Sequence, residues 1–136
     1  MKQQRVLIID DNDLNIQLAT FVLGHAEFAV GSAADARQGL LRIAEFRPDL
    51  ILMDIQMPDM DGLTLTRRLK ADPTTRHIVV VAFTAYAMKG DEAKMRSAGC
   101  DGYIAKPIDI GTFAQKVRSC MGPKTNGDAR GFEAPP

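Results

Sequence analysis

The 136-residue sequence has few cysteines and no excess of charge of either sign, and each shortage excludes a class of protein. Its two cysteines, Cys100 and Cys120, are too few for a disulfide framework and are not spaced as a CxxC pair. Seventeen Lys and Arg residues balance seventeen Asp and Glu residues, so the chain lacks an overall basic field that would attract nucleic acid. We therefore expect a reduced, cytoplasmic protein that does not bind nucleic acid.

Long apolar runs are also missing. The first run, residues 6–9, is four residues long and ends at Asp10. A signal peptide needs about 7–15 apolar residues, and a membrane-spanning helix needs about 18 or more. We expect neither a targeting segment nor an association with membranes.

The length predicts one domain, since domains typically have about 100–200 residues. Residues 1–121 carry the apolar pattern of that domain. From residue 122 to residue 136 the sequence has one aromatic residue and no aliphatic side chain larger than alanine, so we expect a disordered C-terminal tail there.

Short apolar runs alternate with helical patterns five times along the domain. The runs are near-continuous, as is typical of strands that are covered on both faces, and they lie at residues 6–9, 28–30 (the weakest), 50–53, 78–83 and 102–105. Between and after them, helical spacing predicts a first helix with Leu14, Leu18, Phe21 and Val22, then helices over 34–46, 63–69 and 87–98, and a last one from Phe113. This order predicts an α/β fold with a doubly wound parallel sheet and helices on both faces.

Polar residues follow the predicted strands at their carboxyl ends. Asp10 and Asp11 follow the first strand, Asp54 the third, Thr84 the fourth and Lys106 the fifth. Ligands of open α/β sheets bind at this edge, and clustered carboxylates are costly unless a positive charge joins them. A hard divalent cation such as Mg²⁺ suits oxygen ligands. Helix capping is the alternative role for Asp10 and Asp11, and it is the expected role of Asp13.

These residues stand in motifs of a known family. The motifs are VLIIDDN at 6–12, PDLILMDIQMP at 48–58 with the pair Asp61-Gly62, AFTA at 82–85, and AGCDGYIAKP at 98–107. Over residues 4–121 the sequence resembles the receiver domain of two-component response regulators. Within that family it is most similar to the single-domain regulators related to DivK and to the receivers attached to hybrid histidine kinases. The resemblance implies the strand order 2-1-3-4-5.

The resemblance also implies a role for each strand-end residue. Asp54 would be the phosphoryl acceptor, and Mg²⁺, with Mn²⁺ as the alternative, would be held by Asp10, Asp11, Asp54 and the backbone carbonyl of Gln56. Thr84 and Lys106 would bind the phosphoryl group, Tyr103 would be the switch aromatic, and the bond before Pro107 would be cis. Tyr86, two residues past Thr84, suggests slow loss of the phosphoryl group.

The implied partners are a donor and a target. The donor would be a histidine kinase or a histidine phosphotransfer protein that docks on the first helix and the loop after Lys106, through Leu14, Asn15, Leu18, Phe21 and Ile108. A downstream protein would bind the face formed by helix 4, strand 5 and helix 5. The chain would assist its own phosphorylation and dephosphorylation without turning over an external substrate, so we do not expect an enzyme.

Three other functions stay open at this point. The chain could be a phosphorylation-independent adaptor, or a receiver module excised from a hybrid histidine kinase. It could also be an aspartate-nucleophile phosphatase of the haloacid-dehalogenase type. Such phosphatases place a second Asp two residues after the nucleophile, and Gln56 at this position argues against turnover.

Overall fold

The computed structural model of the chain describes residues 3–85 and 89–121. The predicted tail over 122–136 and the side chain of Tyr86 lie outside these residues. Ten elements alternate in order: β1 (Arg5–Ile9), α1 (Asp13–His25), β2 (Ala29–Ala33), α2 (Ala36–Phe46), β3 (Leu50–Asp54), α3 (Gly62–Ala71), β4 (Val79–Thr84), α4 (Lys89–Ala98), β5 (Gly102–Ala105) and α5 (Phe113–Cys120).

All five strands join one parallel sheet in the order β2-β1-β3-β4-β5. The predicted fold class and strand order are therefore confirmed. β1 and β3 lie side by side at the centre, with Ile9 opposite Met53, and β3 places Asp54 opposite Phe83 of β4. This register brings the carboxyl ends of β1, β3 and β4 to one edge of the sheet.

The two faces of the sheet carry separate hydrophobic clusters, because successive residues of a strand point to opposite faces. On one face Leu7, Ile51 and Val80 pack with side chains of α2, α3 and α4. On the other face Ile8, Leu52 and Phe83 pack with side chains of α1 and α5, among them Leu23, Phe113 and Val117. β3 is buried along its whole length, which explains its uninterrupted apolar sequence.

Two local predictions need correction. β2 runs from Ala29 to Ala33, further than the predicted strand over 28–30. Its second half, Gly31-Ser32-Ala33, lacks large apolar side chains; at Gly31 a Cβ would already lie 3.4 Å from the ring of Phe46 in α2. The cap of α1 is Asn12, whose side chain accepts from the amide of Asn15; Asp13 is the first helical residue.

The apolar stripe predicted on α1 divides between two environments. Val22 is buried with Ala19 and Leu23, whereas Leu14 is 74% exposed and Phe21 is 60% exposed. At about 100° per residue, Val22 lies about 80° around the helix from Leu14, at the border of the inward face. The exposed side chains thus form a narrower outward strip than the sequence pattern indicates.

None of the helices in residues 3–85 and 89–121 is long and apolar enough to cross a membrane.

Candidate functional site

Asp10 stands directly after β1 and is completely buried. Its backbone amide donates to the carbonyl of Ala33 at the end of β2, which extends the ladder by one residue. Its carboxylate accepts from the backbone amide of Asn12 at 2.9 Å and from the side-chain amide of Asn15 at 3.4 Å. The start of α1 therefore holds this carboxylate in one orientation.

Asp54 is the last residue of β3 and is only 4% exposed. The backbone amide of Gln56 donates to its Oδ1 at 3.1 Å. Asp10, Asp11 and Asp54 each offer a carboxylate oxygen, and these oxygens lie within 4.8 Å of one another. The structure thus brings together the three aspartates that the sequence placed after two different strands.

Lys106 follows β5 and reaches into this group of carboxylates. Its Nζ lies 3.0 Å from Oδ2 of Asp10 and 3.5 Å from Oδ1 of Asp54. The ammonium group also stands 5.0 Å from the centre of the Phe83 ring, in cation–π range. The backbone amide of Lys106 donates to the carbonyl of Thr84, and the bond between Lys106 and Pro107 is cis.

Among the residues that the structure describes, the Lys106 ammonium is paired with Asp10 and Asp54, while the carboxylates of Asp10, Asp11 and Asp54 carry three negative charges when ionised. Burial raises the pKa of Asp54 to about 7. The negative charge of Asp10 and a hydrogen bond with Asp11 act in the same direction, while Lys106 and the Gln56 amide lower this pKa. Added positive charge would therefore stabilise the ionised form of Asp54.

The donor set fits a hard divalent cation. Carboxylate oxygens are ligands that Mg²⁺ takes in small number while it keeps several waters. The exposed side of the cluster, at Asp11, leaves room for such waters. Burial and the neighbouring charge of Asp10 raise the pKa of Asp54, so a cation bound at these carboxylates would favour its ionised form.

Thr84 and Tyr103 lie on the neighbouring strands β4 and β5. Thr84 ends β4, is 2% exposed and stands opposite Ala105 in the ladder. A cavity of about 230 Å³ borders Thr84, Gln56 and the first turns of α4. Tyr103 is half-buried; partial burial raises the pKa of its phenol, as do the charge of Glu92 and a hydrogen bond to that carboxylate. Tyr103 is thus tied to α4.

Three contributors to the site escaped prediction from the sequence. Asn12 and Asn15 orient Asp10, and Phe83 lies under the ammonium group of Lys106. Asn12 and Asn15 are spaced as an N-cap residue and the third residue of its helix. This spacing predicts a helix cap, but it does not predict that both residues bind the carboxylate of Asp10. Phe83 reads as an ordinary core residue of a buried strand.

The residues predicted to dock a donor lie together on the α1 side of the domain. Leu14 and Phe21 are exposed, Leu18 and Ile108 are half-buried, and the amide of Asn15 turns inward to Asp10. Leu18 and Ile108 also pack against the cluster between the sheet, α1 and α5.

The geometry agrees with what comparison with known proteins finds. The model of the response regulator receiver domain family matches residues 6–118, which is most of the chain. The chain belongs to this family. It is 43% identical over 117 residues to the polar-differentiation response regulator DivK of Brucella anthropi, covering 86% of this chain and 95% of that protein. The corresponding protein of Brucella ovis is 42% identical over the same length.

Solved structures show the same receiver fold. A receiver domain protein of Methanospirillum hungatei superposes with a TM-score of 0.80 at 28% identity, covering 88% of this chain and 94% of that one. The chemotaxis protein CheY4 of Vibrio cholerae has a TM-score of 0.81 at 23% identity over 86% and 98% of the two chains, a likeness of fold. The receiver of a histidine kinase of Syntrophus aciditrophicus gives 0.76 at 29% identity over 85% and 87%.

This chain is therefore a receiver domain of two-component signalling. Receivers of this family interact with histidine kinases and with downstream effectors. The acidic cluster of Asp10, Asp11 and Asp54 is a group that could bind a metal ion.

Proposed function

We propose that this receiver accepts a phosphoryl group on Asp54 from a phosphohistidine donor protein, in a reaction that needs Mg²⁺ or Mn²⁺. One observation carries the proposal. The Asp54 carboxylate is almost buried, yet it stands within 4.8 Å of two further carboxylates and 3.5 Å from the Lys106 ammonium. Such a cluster is costly to fold and serves to bind a cation and an anionic reactant together.

The transfer is a single displacement at phosphorus. A carboxylate oxygen of Asp54 forms the new P–O bond, and the P–N bond to the donor imidazole breaks. The leaving imidazole keeps the electron pair of that bond and takes up a proton, and Asp54 becomes an acyl phosphate. Phosphoryl transfer depends mainly on positioning and on neutralising the charge that spreads over the phosphoryl oxygens. Lys106 supplies one positive charge at the acceptor.

The metal would be held by Asp10, Asp11, Asp54 and the backbone carbonyl of Gln56. When bound, it would supply the remaining positive charge and a template for the phosphoryl oxygens. The backbone amide of Gln56 keeps Asp54 oriented through its hydrogen bond to Oδ1. Asn12 and Asn15 do the same for Asp10.

The donor histidine does not belong to this sequence. The chain has two histidines, His25 and His77. His25 ends α1, where its Nδ1 is hydrogen-bonded to the carbonyl oxygen of Phe21. His77 precedes β4. Both positions lie at the amino ends of the strands that follow them, away from the edge that holds Asp54.

The first test is labelling with a small phosphodonor. With Mg²⁺ and acetyl phosphate or phosphoramidate, we expect the intact-protein mass to rise by one phosphoryl group. Hydroxylamine should remove this group, because acyl phosphates react with it, and EDTA should abolish the labelling. Failure to label in Mg²⁺ and in Mn²⁺, or labelling that EDTA leaves unchanged, would overturn the proposal.

Switching would connect Asp54 to the face of α4, β5 and α5. We propose that Thr84 turns its hydroxyl to the phosphoryl group and that Tyr103 then changes its orientation and its contact with Glu92. A shift from 1:99 to 99:1 between two states needs about 5.5 kcal/mol of differential stabilisation. Downstream-partner affinity that is equal with and without a beryllium fluoride phosphate mimic would instead favour the phosphorylation-independent adaptor.

Docking of the donor can be separated from the chemistry. Because Leu14 and Phe21 are the exposed apolar side chains of α1, their replacement by Ala should slow transfer from a phosphorylated donor protein by about tenfold or more, as hot-spot residues do. Labelling by acetyl phosphate should stay unchanged. The matched control is Leu41→Ala, which removes an equally exposed apolar side chain from α2. If Leu41→Ala slows donor transfer as much as Phe21→Ala, the α1 surface is not the docking site.

A further inference from the structure

Gly62, the first residue of α3, packs directly against the backbone of the acceptor residue. A Cβ at Gly62 would overlap the carbonyl oxygen of Asp54, and it would lie 2.9 Å from the carbonyl carbon of Asp54 and 2.9 Å from Cγ of Met53. Its φ is not in the left-handed region, so what the position requires is space and not unusual backbone freedom.

The close approach allows the first turn of α3 to hold the loop after β3. The amide of Gly62 donates to the carbonyl of Ile55 at 2.9 Å, and the carbonyl of Gly62 accepts from the hydroxyl of Thr66 at 2.7 Å. Asp61 caps the helix by accepting from the amide of Thr64 at 2.9 Å. The first turn of α3 therefore holds Ile55, which lies in the chain between the acceptor Asp54 and Gln56.

Within the part of the chain that the structure describes, the other helical glycines do not have this environment. A Cβ at Gly39 of α2 would meet Cδ1 of Ile9 at 2.8 Å, the far end of a side chain that can rotate away. A Cβ at Gly24 of α1 would meet nothing within 4 Å. Gly62 faces main-chain atoms, which cannot move without moving the acceptor strand or the helix.

We propose that Gly62 is a positioning residue for the acceptor site. By leaving room for the Asp54 carbonyl, it lets α3 hold Ile55 so that the backbone of Gln56 turns both of its polar groups toward the site. The amide of Gln56 then reaches Oδ1 of Asp54, as the structure shows. Its carbonyl would be available as a ligand of the metal, and this second part rests on the proposed function.

The test compares Gly62→Ala with Gly39→Ala and Gly24→Ala. We measure the dissociation constant of Mg²⁺ by calorimetry, and the hydrogen-exchange protection of the Gln56 amide in EDTA. Gly62→Ala should bind Mg²⁺ at least tenfold more weakly and lose at least tenfold of the Gln56 protection. Gly39→Ala should lower the urea midpoint but leave both quantities within twofold, and Gly24→Ala should also leave both within twofold.

A second pair of variants covers the case in which Gly62→Ala does not fold. Asp61→Asn keeps the cap of α3 and removes one charge, whereas Asp61→Ala removes both the cap and the charge. Mg²⁺ affinity and Gln56 protection should be several-fold lower in Asp61→Ala than in Asp61→Asn. Asp35→Ala, which removes the cap of α2, should leave both unchanged.

The outcomes separate this inference from the proposed function. If the unaltered chain does not bind Mg²⁺, the proposed function fails, and the Gln56 protection measured in EDTA still tests the positioning role. If the unaltered chain binds Mg²⁺ and a folded Gly62→Ala binds it equally well with an equally protected Gln56 amide, the positioning role is overturned. Equal values for Asp61→Ala and Asp61→Asn overturn it as well.

Discussion

Replacing Asp54 by asparagine is expected to abolish phosphorylation and, in the metal-free protein, to raise stability at pH 8. The two effects have one cause, because the carboxylate that would attack phosphorus is also a nearly buried negative charge beside Asp10. Asparagine has almost the same shape and can still accept from the Gln56 amide, so it removes the charge with little change in packing.

The sign of the pH dependence follows from the raised pKa. Burial raises the pKa of Asp54 to about 7, above its ordinary value of 3.8. Between about pH 4 and pH 7 the native state therefore binds more protons at Asp54 than the unfolded state does. The free energy of unfolding falls as the pH rises through this window and levels off above about pH 7. At about 1.4 kcal/mol per pH unit between pH 5 and the pKa, the loss between pH 5 and pH 8 is about 2.5 kcal/mol.

Urea unfolding at pH 5, 6, 7 and 8 in EDTA measures this slope. In Asp54→Asn the free energy of unfolding should fall less steeply with pH, because the titrating carboxyl is gone. At pH 8 this variant should be more stable than the unaltered chain. The control is Asp35→Asn, the same substitution at the cap of α2, where asparagine caps as well as aspartate. This control should keep both the labelling and the pH slope. If the free energy of unfolding depends on pH equally in Asp54→Asn and in the unaltered chain, the raised pKa does not belong to Asp54.

Replacing Lys70 by methionine is expected to cost about 3 kcal/mol of unfolding free energy. Lys70 projects from α3 and donates to the carbonyls of Arg76 and Ile78 and to Oδ2 of Asp101 at 2.9 Å, which uses all three protons of the ammonium. Asp101, whose side chain is 7% exposed, also accepts from the amide of Val80. The pair thereby joins α3 to the starts of β4 and β5.

The size of the loss comes from the charge that is left behind. Removing one partner of a buried ion pair typically costs about 3–5 kcal/mol, because the other charge stays desolvated. The side chain of Lys70 is 21% exposed, so water can partly replace the ammonium and the lower end of the range applies. Since domains of this kind are stable by only about 5–15 kcal/mol, such a loss is a large fraction of the total.

A double variant and a surface control make this measurement specific. Adding Asp101→Asn to Lys70→Met removes the negative charge that Lys70 no longer neutralises and should recover part of the lost stability. Lys116→Met, which replaces an exposed lysine of α5, should change the free energy of unfolding by no more than about 0.5 kcal/mol. Phosphoryl labelling of the folded Lys70 variant should persist, because the pair lies at the opposite ends of the strands from Asp54. A loss below about 1 kcal/mol for Lys70→Met would show that the pair contributes little.

Local patterns of the sequence were sufficient to predict the order of the helices and strands and to identify the residues at the ends of the strands. A strand covered on both faces has to be apolar throughout, which made β1, β3 and β4 visible in the sequence. Parallel strands end at a common edge, so the positions of Asp10, Asp54, Thr84 and Lys106 in the chain already predicted that they would meet. The strand order itself came from the resemblance to the receiver family, because alternation alone does not order a sheet.

Contacts between distant residues were decided only by the tertiary structure. Lys70 and Asp101 are 31 positions apart in the sequence, and nothing in either local sequence indicates that they pair. The same holds for Gly62, whose Asp-Gly context predicts a turn but not the close approach to the carbonyl of Asp54.

The burial of charged groups was also decided only by the tertiary structure. The sequence shows an overall charge of zero, and it predicts that Asp10, Asp11, Asp54 and Lys106 gather at one edge. It does not show how deeply Asp54 lies or that its pKa rises to about 7, because desolvation depends on every atom packed around the carboxylate. Periodicity and strand ends are properties of short segments, whereas burial is a property of the whole packed chain.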